Sequence, residues 1–299
     1  MAIGAPPLQR NPSSAARGRA GRLPGQSWIV IGAASLIGLA GYLYPFLLPA
    51  VSPAGDRGAH AVDAPLILAL VTLLCLVAIV SELSADPAGA SAKTVALLGV
   101  LVAIDATLRL APAVLGASPV FPLIILTGAV FGSAFGFQMG ALTILVSAFL
   151  TGGIGPWLPY QMLGAGWVGL SAGWLPRLAN PRSRLGLLAL FGALWGLLYG
   201  ALLNLWFWPF AAPGSDGAAG LYWSPDLGFV ETLATYGRFY LTTSLVYDLF
   251  RAAGNAALLL LLGGPLLRAL ERYRSRFQWQ PWEPEDDAPN TDPVPRLIA

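Results

Sequence analysis

The chain is poor in the residues from which disulfides, metal centres and most catalytic sites are built. Its 299 residues contain one cysteine and one histidine. A single cysteine excludes an internal disulfide or a thiolate metal cluster, and a single histidine excludes a histidine-rich metal site. Charged residues make up only 11% of the sequence, against about 25% in soluble domains. Because 56% of the residues are hydrophobic, this composition predicts an integral membrane protein.

Motifs of common enzyme classes give little support for catalysis. The chain has no Gly-x4-Gly-Lys-Ser/Thr sequence, so it has no phosphate-binding loop of the P-loop type. His60, the only histidine, falls in a short polar loop beside Asp63, where a solvated residue is expected. The net charge of +2 gives no indication of nucleic-acid binding. The sequence therefore predicts a protein that is not an enzyme and that has no metal site and no covalently bound cofactor.

Apolar runs predict about eight membrane spans, because roughly 20 residues cross the hydrocarbon core. The predicted spans are 28–50, 64–84, 93–111, 119–133, 136–152, 158–177, 185–208 and 239–267. Arginines concentrate in 1–26, in 177–184 and after the last span, so the positive-inside rule places both termini in the cytoplasm. Segments 1–26 and 277–299, which are basic and acidic respectively, are predicted to be disordered tails. An even number of spans agrees with this orientation.

The segment 127–173 carries no charged residue and is rich in glycine. Its polar and aromatic residues concentrate in the loop that runs from Thr151 to Gln161. This pattern indicates a small-molecule pocket at the outer membrane surface. The only long outer segment, 209–238, contains further aromatic residues and is predicted to be either a lid or a plain connector.

Charged residues inside the spans form two clusters, and each is costly at bilayer depth unless it has a partner or a function. Asp105 and Arg109 share a face of the third span. Asp248, Arg251 and Asn255 share a face of the last span. Either these groups form a buried network that ties the third and last spans together, or some of them line a ligand cavity. Both interpretations stay open from the sequence.

The block 92–176 resembles the substrate-binding membrane subunit, the S-component, of energy-coupling factor (ECF) transporters. The resemblance rests on the order of several short motifs. They are Ala92-x3-Ala96, Ser118-Pro-Val-Phe-Pro122, Gly128-Ala-Val-Phe-Gly132, the glycines Gly136 and Gly140, Gly152-Gly-Ile-Gly-Pro-Trp157, and Gln161-Met-Leu-Gly-Ala-Gly-Trp-Val-Gly169. The resemblance implies an all-α membrane fold with a six-helix substrate-binding domain at 93–270. Residues 27–84 would then form two additional transmembrane helices.

The family resemblance also implies a function and partners. An S-component binds a vitamin or a related micronutrient outside the cell and does not hydrolyse ATP. It docks on a transmembrane energy-coupling subunit, which works with two cytoplasmic ATPase subunits, and it reorients in the lipid bilayer to deliver its cargo. Ala92 and Ala96 match the family's docking motif. The residues of the glycine-rich loop and of the sixth span most resemble those of the cobalamin group of S-components. A corrinoid is therefore favoured as cargo, ahead of thiamine-related or flavin-like compounds.

Seven residues are the candidates for substrate binding, because aromatic and amide side chains suit a large organic ligand. They are Arg109, Trp157, Tyr160, Gln161, Asn204, Trp223 and Asp248. Two other functions remain open from the sequence. A proton-coupled secondary carrier would use Asp105 and Asp248, and a non-transporting structural protein would use the buried charges only to hold its helices together.

Overall fold

The computed structural model describes residues 25–47, 64–84, 90–111, 117–210, 220–224 and 226–276. These residues form helices joined by turns. In chain order the helices are α1 Gly25–Leu47, α2 Ala64–Ser84, α3 Ala90–Leu108, α4 Val120–Phe131, α5 Ser133–Thr151, α6 Leu158–Ala172, α7 Pro181–Phe207, α8 Phe229–Thr243 and α9 Leu245–Arg276. A single 3-10 turn, Trp208–Phe210, extends α7. The predicted tails, except for residues 25 and 26, lie outside the described residues, as does His60.

Four stretches of the described helices are long and apolar enough to cross a membrane. They are Trp28–Leu47, Ser133–Thr151, Pro181–Phe210 and Leu245–Ser275. Two shorter helical stretches, Ala64–Ile79 and Val120–Phe131, are also strongly apolar. The prediction of an all-α membrane protein is therefore confirmed.

Helices α4, α5 and α6 pack with their backbones in direct contact. A Cβ atom on Gly136 would collide with the carbonyl oxygen of Gly169, and a Cβ on Gly169 would collide with that of Gly136. One turn further along, a Cβ on Gly140 would collide with the carbonyl of Ala165. Small residues permit this approach between membrane helices, where van der Waals packing drives association. The glycines of segment 127–173 are thus required by packing.

The connection between α4 and α5 is a single residue. Gly132 has φ +104°, a backbone conformation that side chains disfavour, and its amide donates to the carbonyl of Gly128. The two helices therefore reverse direction without a loop. The predicted spans 119–133 and 136–152 left a short turn between them, and the structure makes it shorter still, since α5 already begins at Ser133.

Helices α7 and α9 meet along a second row of glycines. Gly192, Gly196 and Gly200 recur every four residues on α7, so they share one face. A Cβ on Gly196 would meet the backbone of Ala252 at 2.5 Å, and a Cβ on Gly200 would overlap the carboxylate of Asp248. The glycine row therefore leaves room for the polar face of α9. At the far end of the same helix pair, Arg184 and Glu271 form an ion pair.

The last predicted span, 239–267, starts too early, because its first residues belong to a separate helix. The chain breaks at Ser244, which separates α8 from α9, and α9 continues to Arg276. The hydroxyl of Thr242 donates to the carbonyl of Arg238, and the hydroxyl of Thr243 donates to the carbonyl of Phe239. These bonds engage backbone carbonyls in the last turns of α8. Such side-chain bonds compete with the helical pattern. Helix α8, at 15 residues, is also shorter than a membrane span.

The two N-terminal helices pack against the rest of the bundle mainly through α6. The hydroxyl of Tyr42 donates to the carbonyl of Tyr160 at 3.0 Å, and the indole of Trp167 donates to Ser35 at 3.0 Å. A Cβ on Gly38 would meet the side chain of Leu163 at 2.6 Å. The α1–α2 hairpin is therefore part of the folded body.

Candidate functional site

Contacts between the helices place the C-terminal ends of α3, α5 and α7 beside the N-terminal ends of α6 and α9. We call this end of the bundle the loop end. It contains all seven residues that the sequence predicts for substrate binding. The opposite end carries the arginine-rich connection around residues 177–184.

The glycine-rich loop between α5 and α6 is shaped by Trp157. Gly152 ends α5 with φ +67°, and its amide donates to the carbonyl of Ala148. The indole of Trp157 donates to the carbonyl of Gly153 at 3.1 Å and lies so close to Gly155 that a Cβ there would overlap the ring. Trp157 is still 39% exposed. The loop therefore presents one face of a fixed aromatic ring.

Arg109 lies just beyond α3 and joins three helices. Its guanidinium donates to the hydroxyl of Ser147 on α5 at 2.8 Å and to the side-chain oxygen of Gln161 on α6 at 3.1 Å. Ser147 in turn donates to the carbonyl of Ile144 at 2.9 Å. We call Arg109, Ser147 and Gln161 the Arg109 cluster. Two of the predicted site residues, Arg109 and Gln161, are thus brought together, with Ser147 as an addition.

Asp105 does not pair with Arg109, although the two are one helical turn apart. Asp105 is 0% exposed, and neither carboxylate oxygen has a hydrogen-bond partner among the described residues. Thr143 on α5 lies close enough to interact with this carboxylate, and its hydroxyl is also buried without a hydrogen-bond partner in the described part of the chain. Asp105 and Thr143 therefore form a second polar layer, one turn deeper than Arg109 and Ser147.

The charged face of α9 is bonded to α7. Asp248, at 2% exposed, forms an ion pair with Arg251 through one oxygen, and its other oxygen has no partner among the described residues. Arg251 donates to the carbonyl of Gly196 at 3.3 Å, and Asn255 donates to that of Gly192 at 3.0 Å. The expected network between the third and last spans is therefore a connection between α7 and α9. The physical reason is that Gly192 and Gly196 have no side chain to cover their carbonyl oxygens, so Arg251 and Asn255 can bond to α7.

Tyr199 lies between the two polar groups. Its ring is 5.6 Å from the guanidinium of Arg251, and it is close enough to Arg109 to interact with that charge as well. It also packs edge-on against Phe121, with ring centroids 4.7 Å apart. Asn204 follows Gly200 on the same face of α7, and its amide nitrogen is buried without a partner in the described structure. The loop end thus has a polar interior that extends from α3 to α9.

Aromatic residues from α1, α6, α7, α8 and the segment 220–224 form one continuous cluster at the loop end. Tyr160 and Trp206 stack with centroids 6.0 Å apart, and Phe46 of α1 contacts both Trp208 at 6.0 Å and Trp223 at 5.5 Å. Trp208 is 0% exposed. Its indole donates to the carbonyl of Leu221 at 3.0 Å. Tyr160 and Trp223 therefore belong to one cluster, to which the added hairpin contributes Phe46.

The two predicted docking residues lie on an exposed face of α3. Ala92 and Ala96 are both exposed, and Gly99 has no atom within 4 Å of where a Cβ would be. Val100 is exposed as well. Exposed small and apolar residues are therefore available on this helix, with the exposed Lys93 among them.

One pentapeptide matches the sequence of a serine-hydrolase motif but does not form the strand-to-helix turn of that motif. Gly169-Leu-Ser-Ala-Gly173 fits Gly-x-Ser-x-Gly, but Ser171 lies in the last turn of α6 and donates to the carbonyl of Trp167 at 2.6 Å. A nucleophile elbow requires a strand-to-helix turn. In the segments that the structure covers, no group of three or more His, Cys, Asp or Glu residues could hold a metal ion.

Sequence reasoning missed several residues of the loop end. Ser147 and Thr143 are spaced four apart on α5, a signal that could have been noticed beside the same spacing of Asp105 and Arg109. Tyr199 gives no comparable signal, because its place between Arg109 and Arg251 depends on how α6, α7 and α9 pack. The same holds for Phe46.

Residues 93–263 match the sequence model of a family described as ECF transporter, substrate-specific component. The matched segment covers more than half of the chain, from α3 into α9, and the α1–α2 hairpin precedes it. No curated protein and no solved structure matches the chain.

Proposed function

The chain belongs to the family of ECF transporter substrate-specific components, and we propose that it captures an organic micronutrient at the loop end and delivers it across the membrane. The family is one of transporter components and not of enzymes. It implies a membrane location and association with an energy-coupling transmembrane component and ATPases. In our proposal two cytoplasmic ATPase subunits use the ATP, both termini of this chain are cytoplasmic, and the loop end faces outward.

The single observation that carries the proposal is the composition of the loop end. A guanidinium, amides, two carboxylates and a cluster of indole and phenol rings converge there. The carboxylate oxygens of Asp105, one oxygen of Asp248 and the amide nitrogen of Asn204 have no hydrogen-bond partner among the described residues. Buried polar groups normally find partners, so those that do not are candidates for ligand contacts. We propose that Arg109, Trp157, Tyr160, Gln161, Asn204, Trp223 and Asp248 contact the cargo, and that a corrinoid such as cobalamin is the cargo.

The experiment that tests the function is purification of the full chain in detergent, followed by identification of what co-purifies. An absorbance spectrum and mass spectrometry would show a bound corrinoid or another vitamin directly. An empty protein that is also not stabilised by any of a set of vitamins in a thermal-shift assay would contradict the proposal.

Replacement of Trp157 by alanine is expected to weaken cargo binding about 10-fold or more, because a stacked aromatic ring contributes roughly 0.5–1.5 kcal/mol beyond its buried area. The measurement is the dissociation constant of the co-purifying ligand. Trp174→Ala is the matched control, since Trp174 is an exposed tryptophan just after α6, at the opposite end. Equal affinities in both variants and in the parent protein would remove Trp157 from the site.

Replacement of Ala96 by tryptophan is expected to prevent docking on the transmembrane subunit while leaving cargo binding within about twofold. A large ring would disrupt a surface where close helix contact depends on small side chains. Co-purification with the transmembrane and ATPase subunits measures docking. Leu190→Trp on the exposed face of α7 is the control. Loss of cargo binding with intact assembly would show that α3 does not dock through this face.

A proton-coupled carrier is the second candidate, favoured by the buried, unpartnered oxygens of Asp105 and Asp248 in the described structure. Carboxylates inside membrane proteins often belong to proton pathways. This function predicts uptake in cells that lack the ATPase subunits, with loss of uptake when the proton gradient is dissipated. ATPase-dependent uptake that survives an uncoupler would exclude it.

A further inference from the structure

The positive charge of Arg109 is not balanced by a carboxylate in the described structure. Its two hydrogen bonds go to a hydroxyl and an amide oxygen, both neutral. The ion pairs among the described residues are Arg184–Glu271 and Arg251–Asp248, and neither includes Arg109. Asp105, one turn earlier, accepts no hydrogen bond from it. Among the described residues, this half-buried guanidinium at the loop end therefore has no anionic partner.

The guanidinium is held in place and still has donor capacity. Arginine has five N–H donors in a planar fork, and the described bonds use two of its nitrogens once each. Ser147 and Gln161 come from two different helices, so they fix the plane of the fork. Trp157, which is 39% exposed, precedes Gln161 by one helical turn. This arrangement suits a planar or tetrahedral oxygen acid, which arginine binds through paired hydrogen bonds.

Resting on the proposed function, we propose that the cargo carries an anionic oxygen acid, a carboxylate or a phosphate ester, and that the Arg109 cluster binds this group. Cobalamin satisfies this requirement through the phosphodiester of its nucleotide loop. The cluster thereby discriminates acids and phosphate esters from neutral analogues of the same molecule. A lipid phosphate has the same chemistry, and the test below distinguishes it from the cargo.

Matched pairs of compounds provide the first part of the test. They are cyanocobalamin and dicyanocobinamide, flavin mononucleotide and riboflavin, and pantothenate and panthenol. Binding to the full chain in neutral detergent is measured by thermal shift and by calorimetry. In at least one pair, the anionic member is expected to bind at least about 10-fold more tightly, because a hydrogen-bonded charge pair is worth roughly that factor or more.

Two variants alter the cluster in different ways, so a folding defect in one does not end the test. Arg109→Gln removes the charge. Gln161→Glu keeps the shape and places a carboxylate within reach of the guanidinium, 3.1 Å from the present amide oxygen. Each is expected to weaken the anionic member about 10- to 100-fold and to leave the neutral member within twofold. Arg109→Lys should retain part of the affinity. Arg238→Gln, an exposed arginine on α8, is the control.

The outcomes separate this inference from the proposed function. Equal affinity for both members of every bound pair, or unchanged affinity in both cluster variants, overturns the inference and leaves cargo binding established. A neutral co-purifying ligand does the same. If Arg109→Gln changes only the amount of phosphatidylglycerol retained in mass spectrometry, the partner is a lipid and the inference is wrong. If no probe binds and nothing co-purifies, the proposed function and the inference both fail.

Discussion

Gly169→Val is expected to prevent formation of the folded bundle. The new Cβ would overlap the carbonyl oxygen of Gly136, and the neighbouring Cα of Gly136 would also be too close. Backbone atoms cannot rotate away as a flexible side chain can, so α5 and α6 would have to separate. Overpacking typically costs about 1–3 kcal/mol, and a clash with a backbone is at or above the upper limit.

The measurement is thermal unfolding in detergent, together with elution as a single species in size-exclusion chromatography. Gly186→Val on α7 is the matched control, because no atom lies within 4 Å of its would-be Cβ. The control is expected to unfold within a few degrees of the parent protein. If Gly169→Val unfolds at the same temperature as Gly186→Val, then α5 and α6 are not in backbone contact.

Asp248→Ala is the second change with a large expected effect. It leaves Arg251 without its ion-pair partner between α7 and α9, where the arginine side chain is only 16% exposed. Removal of one partner of a buried pair typically costs about 3–5 kcal/mol, because the remaining charge is uncompensated. We therefore expect a clear loss of thermal stability. Arg251→Leu alone is expected to destabilise as well, since it leaves the carboxylate unpaired beside Gly200.

The double variant Asp248→Ala with Arg251→Leu distinguishes a structural role from a ligand role. Because both charges are gone, its stability is expected to recover by about 2 kcal/mol relative to Asp248→Ala. If cargo binding also recovers, Asp248 acts only through α9 packing. If stability recovers while binding stays lost, the free oxygen of Asp248 contacts the cargo. Additive losses in the cycle would show that the two residues do not interact.

Composition and motif order were sufficient to predict the membrane class, the all-α fold and the family. Span boundaries were predicted within a few residues where apolar runs end at glycine or proline, as at Gly132 and Gly152. The break at Ser244 was missed, because Thr242 and Thr243 sit in an otherwise apolar run. Their effect comes from hydroxyl groups that bond to the helix backbone, which hydropathy does not measure.

The partners of the charged residues could not be predicted from spacing. Asp105 and Arg109 have the spacing of a helical ion pair, yet Arg109 bonds to Ser147 and Gln161. Spacing along one helix shows which side chains share a face, but it does not show which residues of other helices meet that face. Likewise, the glycine row of α7 explains why α9 bonds to backbone carbonyls, and that contact is visible only in the packed structure.

Tyr160 and Gln161 are neighbours in sequence but contact different parts of the molecule. The carbonyl of Tyr160 accepts from Tyr42 of α1, and the side chain of Gln161 accepts from Arg109. One helical turn of α6 therefore connects the added hairpin with the Arg109 cluster. Linked equilibria are reciprocal, so any factor by which ordering of α1 changes cargo affinity must equal the factor by which cargo changes the ordering of α1. Any coupling between the hairpin and the Arg109 cluster would therefore act equally in both directions.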